Sequence, residues 1–315
     1  MPPRLRRDKV LGRWVVVAEE RAKRPIGGGK ETCPFCPGHE HLTPPAILAL
    51  TKHGDRVVEE RDEGDSRVKD WLVRCFENLY PAFKPPSEAP RVKGLATGRH
   101  EVLVETPIHD EHPHVARLEQ LKLALKALLL RMEQLSSEDY VEYVAVFRNY
   151  GRLAGASIPH PHTQIVALPF IPDVVKLELK SFKAKCPICS RSDKLTFYDD
   201  GEFVAFLPRT GVSPYEFWLA PRTHEPTLSS LNLEGLARAL RSTLSSLAKV
   251  LDDPPYNMWL HVAPIKESPS HYHWHFEVRP KVTIQAGLEQ GFWVYVNPTP
   301  PEKAARRLRA TASKG

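Results

Sequence analysis

The residues best suited to chemistry lie in one short stretch, GRLAGASIPHPHTQIVALP, which runs from Gly151 to Pro169. It contains a serine, a glutamine and two histidines, His160 and His162, on either side of a proline. Side chains two residues apart point to the same face of an extended backbone, so both imidazoles are expected on one side. A neutral imidazole is nucleophilic near pH 7, and its phosphoryl adduct leaves readily. Such a residue can divide one difficult phosphoryl transfer into two easier steps.

The elements around these histidines are predicted to hold them rigidly. Residues 151–155 include two glycines, which adopt backbone angles that other residues avoid, so this part is predicted to be a loop. The segment HTQIVALP is predicted to be a buried strand, because an apolar run from Ile165 to Leu168 follows its polar residues. Backbone groups of the loop could neutralise phosphate charge. Polar side chains at the mouth of a rigid strand are typical of a reactive site.

The five cysteines are informative through their spacing. Cys33 and Cys36 form one CxxC pair, and Cys186 and Cys189 form a second. The N-terminus, MPPRLRRDKV, has no apolar segment after its charges, so we do not expect a secretory signal. We expect a cytoplasmic location instead. In such a chain a CxxC pair favours a bound metal over a disulfide. Cys75 lies in the apolar stretch WLVRCFEN and is predicted to be a core residue.

The composition is that of an ordinary globular protein and narrows the class of partner. The chain has 315 residues, of which 42% are hydrophobic, enough for two domains or one large one. The most apolar helical stretch, around Leu121 to Met132, is interrupted by Lys122, Lys126 and Arg131, so no membrane-spanning segment is expected. A net charge of +6, from 44 basic and 38 acidic residues, suits an anionic ligand without requiring nucleic acid.

Repeated spacing predicts that the chain contains two copies of one unit. In each copy a strand ends near a histidine, a long amphipathic helix follows, and a further histidine comes after the next strand. His109 and His160 are 51 residues apart in the first copy, and His224 and His273 are 49 apart in the second. Self-similarity on this scale indicates a duplicated supersecondary unit.

The order of elements predicts an α+β fold built from two tandem domains. Strand–helix–strand order with few signals for parallel crossovers favours an antiparallel sheet in each domain, with helices packed on it. The long helices are predicted over Val115 to Leu135 and over Leu231 to Leu251. The domains are predicted as residues 1–175 and 176–315, with the boundary near Pro172 to Lys185.

Each copy also supplies two thiols and two imidazoles that could bind one metal ion. The first set is Cys33, Cys36, His109 and His160, and the second is Cys186, Cys189, His224 and His273. Two sulfur and two nitrogen ligands suit a closed tetrahedral zinc site. The alternative is that each CxxC is only a turn and that the histidines act independently. The occurrence of the pattern twice favours the metal sites.

Several short motifs together match a known family. The chain contains RAKRP, CPFC, FEN, GASIPHPHTQ, HVAP, HWHF and GLEQG followed by EKAARRLR, in this order. Through these segments, which extend over nearly the whole chain, it resembles the galactose-1-phosphate uridylyltransferases of the histidine-triad superfamily. The resemblance implies two tandem histidine-triad-like domains, a catalytic one that carries HPHTQ and a degenerate second copy. It also implies a homodimer.

The resemblance implies a role for each residue that matches a family motif. His162 would be the nucleophile that takes the nucleotidyl group, and Gln164 and Ser157 would assist it at the phosphates. The residues around the substrate would be Arg21, Arg24, Phe76, Asn78, Asn149, Ser157, Gln164, Glu289 and Asn297. The set of Cys33, Cys36, His109 and His160 would be the family's zinc site.

The sugar end departs from the family pattern. Glu289 matches a residue that binds a sugar hydroxyl, but the tyrosine that usually stands beside it is Leu288 here. A later glutamine of the family corresponds to Asn297. These departures leave the preferred sugar open.

The resemblance implies an exchange of UMP between UDP-glucose and galactose 1-phosphate through a uridylyl-His162 intermediate. UDP-glucose or UDP-galactose and hexose 1-phosphates are then the expected ligands. The alternative keeps the same histidine in an ADP-glucose phosphorylase or in another nucleoside-diphosphate-sugar phosphorylase. A zinc-braced nucleic-acid-binding module is a hypothesis of a different class. No run of Lys and Arg interleaved with aromatic residues favours it, so neither nucleic acid nor membrane is expected as a partner.

The second copy is predicted to be catalytically silent. When the two copies are aligned on their HxH units, His275 stands at the position of His162 and Glu277 at that of Gln164. An amide can donate to a phosphate oxygen, whereas an ionised carboxylate only accepts and repels the phosphate. His275 is therefore not expected to be a second nucleophile.

The metal of the second copy has two possible sets of ligands. Besides the cysteine set, Glu178, His261, His273 and His275 match the positions of an iron site in bacterial relatives. Because both sets include His273, one ion is expected in this copy and not two. Thiolates favour zinc, so the cysteine set is predicted, with iron as the alternative.

Overall fold

The computed structural model describes residues 1–23, 33–229, 231–267 and 269–312 of the chain. Its strands are β1 (Arg4–Arg7), β2 (Trp14–Val17), β3 (Ala46–His53), β4 (Arg56–Glu60), β5 (Val73–Glu77), β6 (Arg99–Val104), β7 (Tyr143–Tyr150), β8 (His162–Leu168), β9 (Thr196–Asp199), β10 (Phe203–Phe206), β11 (Phe217–Pro221), β12 (Tyr256–His261) and β13 (His275–Pro280). Its α-helices are α1 (Leu118–Ser136), α2 (Asp173–Ala184), α3 (Leu233–Leu251), α4 (Gly287–Phe292) and α5 (Pro301–Arg309).

Eleven of these strands form one continuous antiparallel sheet in the order β4-β3-β5-β6-β8-β7-β12-β13-β11-β10-β9. The two halves of the chain meet where β7 pairs with β12, from Tyr150 opposite Tyr256 to Val146 opposite Leu260. Outward from this pair, β8, β6 and β5 follow on one side as β13, β11 and β10 follow on the other. The predicted antiparallel α+β fold is confirmed. The two predicted sheets join edge to edge, which satisfies the backbone groups that a free edge would leave unpaired.

The long helices α1 and α3 pack on one face of this sheet. Leu121, Leu125 and Leu128 of α1 are buried at helical spacing, and they share one hydrophobic cluster with Leu240 of α3 and Ile165 of β8. Both helices begin within three residues of their predicted starts. Within the described residues, no helix is both long and apolar enough to cross a membrane.

The alternation of side chains along β8 places the site on the other face of the sheet. On the neighbouring strand β6, Leu103 belongs to the cluster under the helices, whereas Val102 and Val104, which pair with Gln164 and His162, belong to a separate cluster with Phe35 and Phe76. Since successive side chains of a strand point to opposite faces, His162 and Gln164 point away from α1 and α3. The helices α1 and α3 therefore pack on the face of the sheet opposite to His162 and Gln164.

Two segments add to what the sequence analysis predicts. The region of the predicted domain boundary forms helix α2, whose Phe182 packs against the rings of Tyr272 and His275 at centroid distances of 5.1 and 5.8 Å. This helix covers the face of the second half that corresponds to the His162 face of the first half. No sequence pattern described above predicts the hairpin of β3 and β4, although Leu48 and Leu50 of β3 are core residues.

Candidate active site and metal centres

His162, the first residue of β8, is held in one tautomer. Its Nδ1 lies 2.7 Å from the carbonyl oxygen of His160, and because a carbonyl only accepts, Nδ1 carries the proton. The lone pair that a nucleophile needs is then on Nε2. The Phe35 ring packs edge-on against the imidazole at a centroid distance of 5.4 Å. The structure thus provides an oriented and buried imidazole whose Nε2 could act as a nucleophile.

Two side-chain amides on the same face are each held by their oxygen atom. Gln164 Oε1 lies 3.0 Å from His100 Nε2, and Asn149 Oδ1 accepts from Asn257 Nδ2 at 2.8 Å. The amino group of each amide is then left as a donor for a ligand. Two such donors beside a nucleophile suit anionic phosphate oxygens. His100 and Asn257 are missing from the sequence analysis, because strands remote in the chain bring them here and no short motif contains them.

The loop between β7 and β8 depends on glycine at its first residue. Gly151 has φ 78° and ψ 156°, and a Cβ there would lie 2.9 Å from the Pro255 Cβ. Asn257 Nδ2 also donates to the Ala154 carbonyl at 2.8 Å. Ser157 is half-buried in the same loop. The second half of the chain therefore holds the loop that is predicted to bind phosphate in the first half.

The residues predicted around the nucleotide lie at the end of β5 and beside it. Phe76 is buried in β5, and Asn78 follows the strand. Arg21 donates to the Tyr80 carbonyl at 2.5 Å, while Asn78 Oδ1 accepts from the Tyr80 amide at 2.9 Å. The structure thus brings Arg21 and Asn78 to one turn. Arg24 lies outside the described residues.

The first predicted metal set converges on one point. The ligand atoms of Cys33, Cys36, His109 and His160 all lie within 4.8 Å of one another. His160 Nδ1 faces the two sulfur atoms at 3.7 and 3.6 Å, and its Nε2 lies 2.7 Å from the Thr106 carbonyl oxygen. Metal-bound histidines commonly donate their second N–H in this way. Burial lowers the pKa of His160 to about 4, which keeps the imidazole neutral, as metal binding requires. These donors fit zinc.

The second predicted metal set repeats this geometry at a more exposed place. The ligand atoms of Cys186, Cys189, His224 and His273 also lie within 4.8 Å of one another. His273 Nδ1 faces the two sulfur atoms at 3.4 and 3.6 Å, and its Nε2 lies 3.1 Å from the Pro221 carbonyl. His224 Nε2 lies 3.0 Å from the Ser270 carbonyl. Both histidines have the carbonyl partner expected of zinc ligands.

A third group of possible metal ligands lies in the second half, on the face that corresponds to the His162 face of the first half. It consists of Glu178, His261, His275 and Glu277, again within 4.8 Å of one another. The carboxylate set considered in the sequence analysis has His273 where the structure places Glu277. His273 is absent from this group because its Nδ1 faces the two cysteines. The two groups therefore share no residue, and the expectation of a single ion in this half loses its basis.

The imidazole of His275 is enclosed, although it stands at the position that His162 has in the first half. Its Nδ1 lies 3.0 Å from the His273 carbonyl, as in the active half. However, the residue is 0% exposed, Trp218 stacks on its ring at 4.4 Å, and Glu277 Oε1 lies 3.6 Å from its Nε2. A phosphate group would have to displace this packing and approach a carboxylate. The geometry supports the prediction that the second copy is silent.

The two residues predicted at the sugar end make their hydrogen bonds elsewhere. Glu289 of α4 accepts from the amides of Ala286 and Val296 at 2.9 and 3.3 Å. Asn297 donates to the Gly211 carbonyl at 2.9 Å. Within the described residues, neither side chain has a hydrogen bond to the loop that holds His162. Within the part of one chain that the structure describes, hydrogen bonds therefore do not connect Glu289 or Asn297 to the loop that leads to His162.

A buried ion pair supports the backbone of His162 from the helix-covered face. Arg148 donates to the Glu105 carboxylate and, at 3.4 Å, to the His162 carbonyl, while Glu105 accepts from Thr163 Oγ1 at 2.7 Å. Arg148 also donates to His112 Nδ1 at 3.0 Å. Burial and the Arg148 charge lower the pKa of His112 to about 2. No short motif contains this network, because residues near the ends of three separate strands form it.

Comparisons with known proteins agree with this geometry. Residues 2–172 match a sequence model described as galactose-1-phosphate uridyl transferase, N-terminal domain. A galactose-1-phosphate uridylyltransferase of Thermotoga maritima is 32% identical over 98% of this chain and 98% of that protein. An ADP-glucose phosphorylase of Arabidopsis thaliana is 31% identical over 98% of this chain and 92% of that protein.

Solved structures show the same relationship. The crystal structure of the Arabidopsis thaliana ADP-glucose phosphorylase with bound ADP-glucose has a TM-score of 0.77 at 29% identity and covers 98% of both chains. A structure of uridylyltransferase has a TM-score of 0.79 at 28% identity and also covers 98% of both chains. The family match covers more than half of the chain, and the fold of these relatives extends over nearly all of it. With its duplicated antiparallel sheet and its HPHTQ strand, the chain belongs to the galactose-1-phosphate uridyl transferase family.

Proposed function

We propose that the protein moves a nucleoside monophosphate group from a nucleoside diphosphate hexose to an acceptor through an adduct on His162. The fixed tautomer of His162 carries this proposal, because it leaves Nε2 as the attacking atom. In the favoured form, UDP-glucose is the donor and galactose 1-phosphate is the acceptor. The protein is then a UDP-glucose–hexose-1-phosphate uridylyltransferase.

The reaction has two displacement steps at the same phosphorus atom. His162 Nε2 first attacks the α-phosphorus, a P–N bond forms, and the P–O bond to the β-phosphate breaks, so that glucose 1-phosphate leaves. The Nδ1–H bond to the His160 carbonyl stabilises the positive charge that the ring acquires. A phosphate oxygen of galactose 1-phosphate then attacks the phosphorus, the P–N bond breaks, and the neutral imidazole returns. The result is ping-pong exchange.

The held amides account for the stabilisation of phosphate charge. Gln164 and Asn149 present amino groups, because their oxygen atoms are hydrogen bonded to protein donors. Phosphoryl transfer depends mainly on positioning and on donors aimed at the non-bridging oxygens. Ser157 and the backbone of its loop supply further donors without occupying the line of attack.

Zinc fits the two cysteine–histidine sets. Cys33, Cys36, His109 and His160 would hold one ion, and Cys186, Cys189, His224 and His273 would hold another. When bound, zinc supplies a structural cross-link. His160 also holds His162 Nδ1 through its carbonyl, so an anchored His160 anchors the nucleophile. The third group has two carboxylates among its ligands and is the place in this half where iron fits best.

ADP-glucose phosphorylase activity is the second candidate function. The Arabidopsis thaliana relative of that name is 31% identical to this chain, and Leu288 and Asn297 depart from the uridylyltransferase pattern at the sugar end. In this reaction ADP-glucose would adenylylate His162: the P–O bond to the β-phosphate would break and glucose 1-phosphate would leave. Inorganic phosphate would then attack the phosphorus and release ADP. The same amides and the same loop would serve both reactions.

We further propose that the protein is a homodimer, joined through the segment of residues 282–296. This segment exposes a row of apolar side chains: Val282, Ile284, Leu288, Phe292, Trp293, Val294, Tyr295 and Val296. A contiguous exposed apolar segment is typical of a protein interface. Glu289, the residue predicted to bind a sugar hydroxyl, lies on it. Packing of this segment on a second copy would cover these side chains and bring Glu289 to the nucleotidyl site of that copy.

Mass spectrometry of the intact protein tests the function directly. The protein would be incubated separately with UDP-glucose, UDP-galactose and ADP-glucose, without an acceptor. We expect a uridylyl or adenylyl adduct that is absent from His162→Ala. Galactose 1-phosphate should discharge the adduct of a uridylyltransferase, whereas inorganic phosphate should discharge that of a phosphorylase. No adduct from any of the three donors would contradict the covalent mechanism.

A further inference from the structure

We infer that His100 is a positioning residue, which orients the amide of Gln164 so that its amino group meets the substrate phosphate. This inference rests on the proposed function and adds a residue to that site. His100 lies on β6, next to β8 in the sheet, and is 4% exposed. Its ring lies between the turn after β5 and the reactive strand, in contact with Ala82, Asn78 and Gln164.

A backbone amide decides the tautomer of His100. The Ala82 N–H donates to His100 Nδ1 at 3.1 Å, so this nitrogen carries no proton. The proton of the neutral ring is then on Nε2. Since Nε2 lies 3.0 Å from Gln164 Oε1, it donates to that oxygen. A Gln164 amide turned by 180° would place its amino group against this N–H, and two donors would face each other.

The contact of His100 with Asn78 is longer than its contact with Gln164. Asn78 Oδ1 accepts from the Tyr80 amide at 2.9 Å, so its amino group points toward His100 Nε2, at 3.3 Å. Because Nε2 is protonated, this longer contact joins two donors and is not a hydrogen bond. The Asn78 amino group is thus kept as a donor, like that of Gln164. The Tyr80 amide therefore orients Asn78, and the His100 imidazole orients Gln164.

The orientation of Gln164 matters because its two ends have opposite effects on an anion. The amino group donates to a phosphate oxygen, whereas the carbonyl oxygen repels it. Without a donor at the His100 position, the amide can rotate and present its oxygen. Loss of one donor to a developing oxyanion costs about a hundredfold to a thousandfold in rate. Partial misorientation should therefore slow adduct formation on His162 by about tenfold to a hundredfold.

Two isosteric variants separate this role from a structural one. The side chain of His100→Gln can place a donor near the Nε2 position but loses the acceptor for the Ala82 amide. The side chain of His100→Asn keeps an acceptor near the Nδ1 position but does not reach Gln164. We expect His100→Gln to form the His162 adduct within about threefold of the wild-type rate, and His100→Asn to be slower by about tenfold or more. If His100 only holds the turn at Ala82, the order of the two variants is reversed.

A double-mutant cycle and a binding measurement complete the test. The effect of His100→Asn should disappear in the Gln164→Ala background, because both changes remove the same interaction. Calorimetry should show that His100→Asn weakens UMP or AMP binding and leaves uridine or adenosine binding unchanged. Additive effects on rate, or equal losses for nucleoside and nucleotide, would overturn the inference. A wild-type protein without any adduct would instead overturn the proposed function, while the binding comparison would still decide the role of His100.

Discussion

At the scale of single residues, the neighbours of a side chain decide its reactivity. The His160 carbonyl determines that Nδ1 of His162 is protonated, so that Nε2 is the atom with which the proposed mechanism attacks. In the same way, His100 and Asn257 determine which end of Gln164 and of Asn149 meets a ligand. The site is therefore preorganised, with its dipoles in place before the substrate arrives.

Removal of the His162 imidazole should abolish catalysis without abolishing binding. We expect His162→Ala to lower the exchange rate by more than about a thousandfold, because no other group can take the nucleotidyl group. Calorimetry should still detect the nucleotide sugar, since the residues that hold it remain. Imidazole added to His162→Gly should restore part of the rate, and the same addition to His162→Ala, which has less space, is the control. Turnover by His162→Ala above about a tenth of the wild-type rate would contradict a covalent mechanism.

At the scale of elements, the loop after β7 belongs to one half of the chain and is supported by the other. Asn257 of β12 donates to Asn149 and to the Ala154 carbonyl, and Pro255 lies against Gly151. The pairing of β7 with β12 brings these residues together. The half that carries His162 therefore depends on the other half for the shape of this loop.

Gly151→Ala should be much more harmful than Gly155→Ala. A Cβ at residue 151 would lie 2.9 Å from the Pro255 Cβ, and φ 78° with ψ 156° is a conformation almost restricted to glycine. Gly155 also has a positive φ, of 87°, but nothing lies within 4 Å of an added Cβ. We expect Gly151→Ala to lower the free energy of unfolding by about 1–3 kcal/mol more than the control. Chemical denaturation measures both variants, and equal losses would show that Pro255 does not constrain the loop.

At the scale of the whole molecule, the two halves have the same arrangement of possible metal ligands, but the second histidine of the HxH unit is enclosed only in the second half. Each half has a CxxC pair and two histidines whose ligand atoms lie within 4.8 Å. Only in the first half does the second histidine of the HxH unit have an amide two residues later. In the second half Trp218 and helix α2 cover the corresponding histidine. The second half therefore acts as support for the first.

The two cysteine sets should have separable effects on metal content and rate. Cys33→Ser should remove one zinc per chain and lower both the melting temperature and the rate of adduct formation, because His160 and His162 lose their anchor. Cys186→Ser/Cys189→Ser should also remove one zinc but leave the rate of adduct formation within a few-fold. Elemental analysis with thermal unfolding measures these effects. Metal content unchanged in the double variant would show that the ion of this half binds at the third group instead.

The exposed segment of residues 282–296 should control the oligomeric state. We expect Phe292→Asp/Trp293→Asp to give a monomer in sedimentation velocity, because charges would enter the proposed interface. Val10→Asp, at a side chain that is 88% exposed but far along the chain from this segment, is the matched control. If Glu289 acts across this interface, the monomer should also lose exchange activity, as Glu289→Ala should. A wild-type protein that sediments as a monomer would remove the basis of this arrangement.

The sequence alone determined the features that depend on local spacing. Each of these features is short: the HPHTQ motif, the two CxxC pairs and the amphipathic stretches. Their residue types and periodicity therefore predict the strand that carries His162 and the two long helices. The repeat predicted a duplicated antiparallel fold, which the structure confirms. The two sets of four possible metal ligands could also be predicted from the sequence, because the same spacing occurs in both copies.

Only the tertiary structure decided which distant residues meet those motifs. His100, Asn257 and Arg148 act on the site through strand pairing, and no spacing in the chain relates them to His162. The direction of a side chain is equally unpredictable from its type: His273 faces the cysteines, so Glu277 takes its place in the third group. The edge-to-edge joining of the two sheets also depends on the packing of both halves. Local patterns fix which residues can react, whereas register and side-chain direction fix which atoms they present.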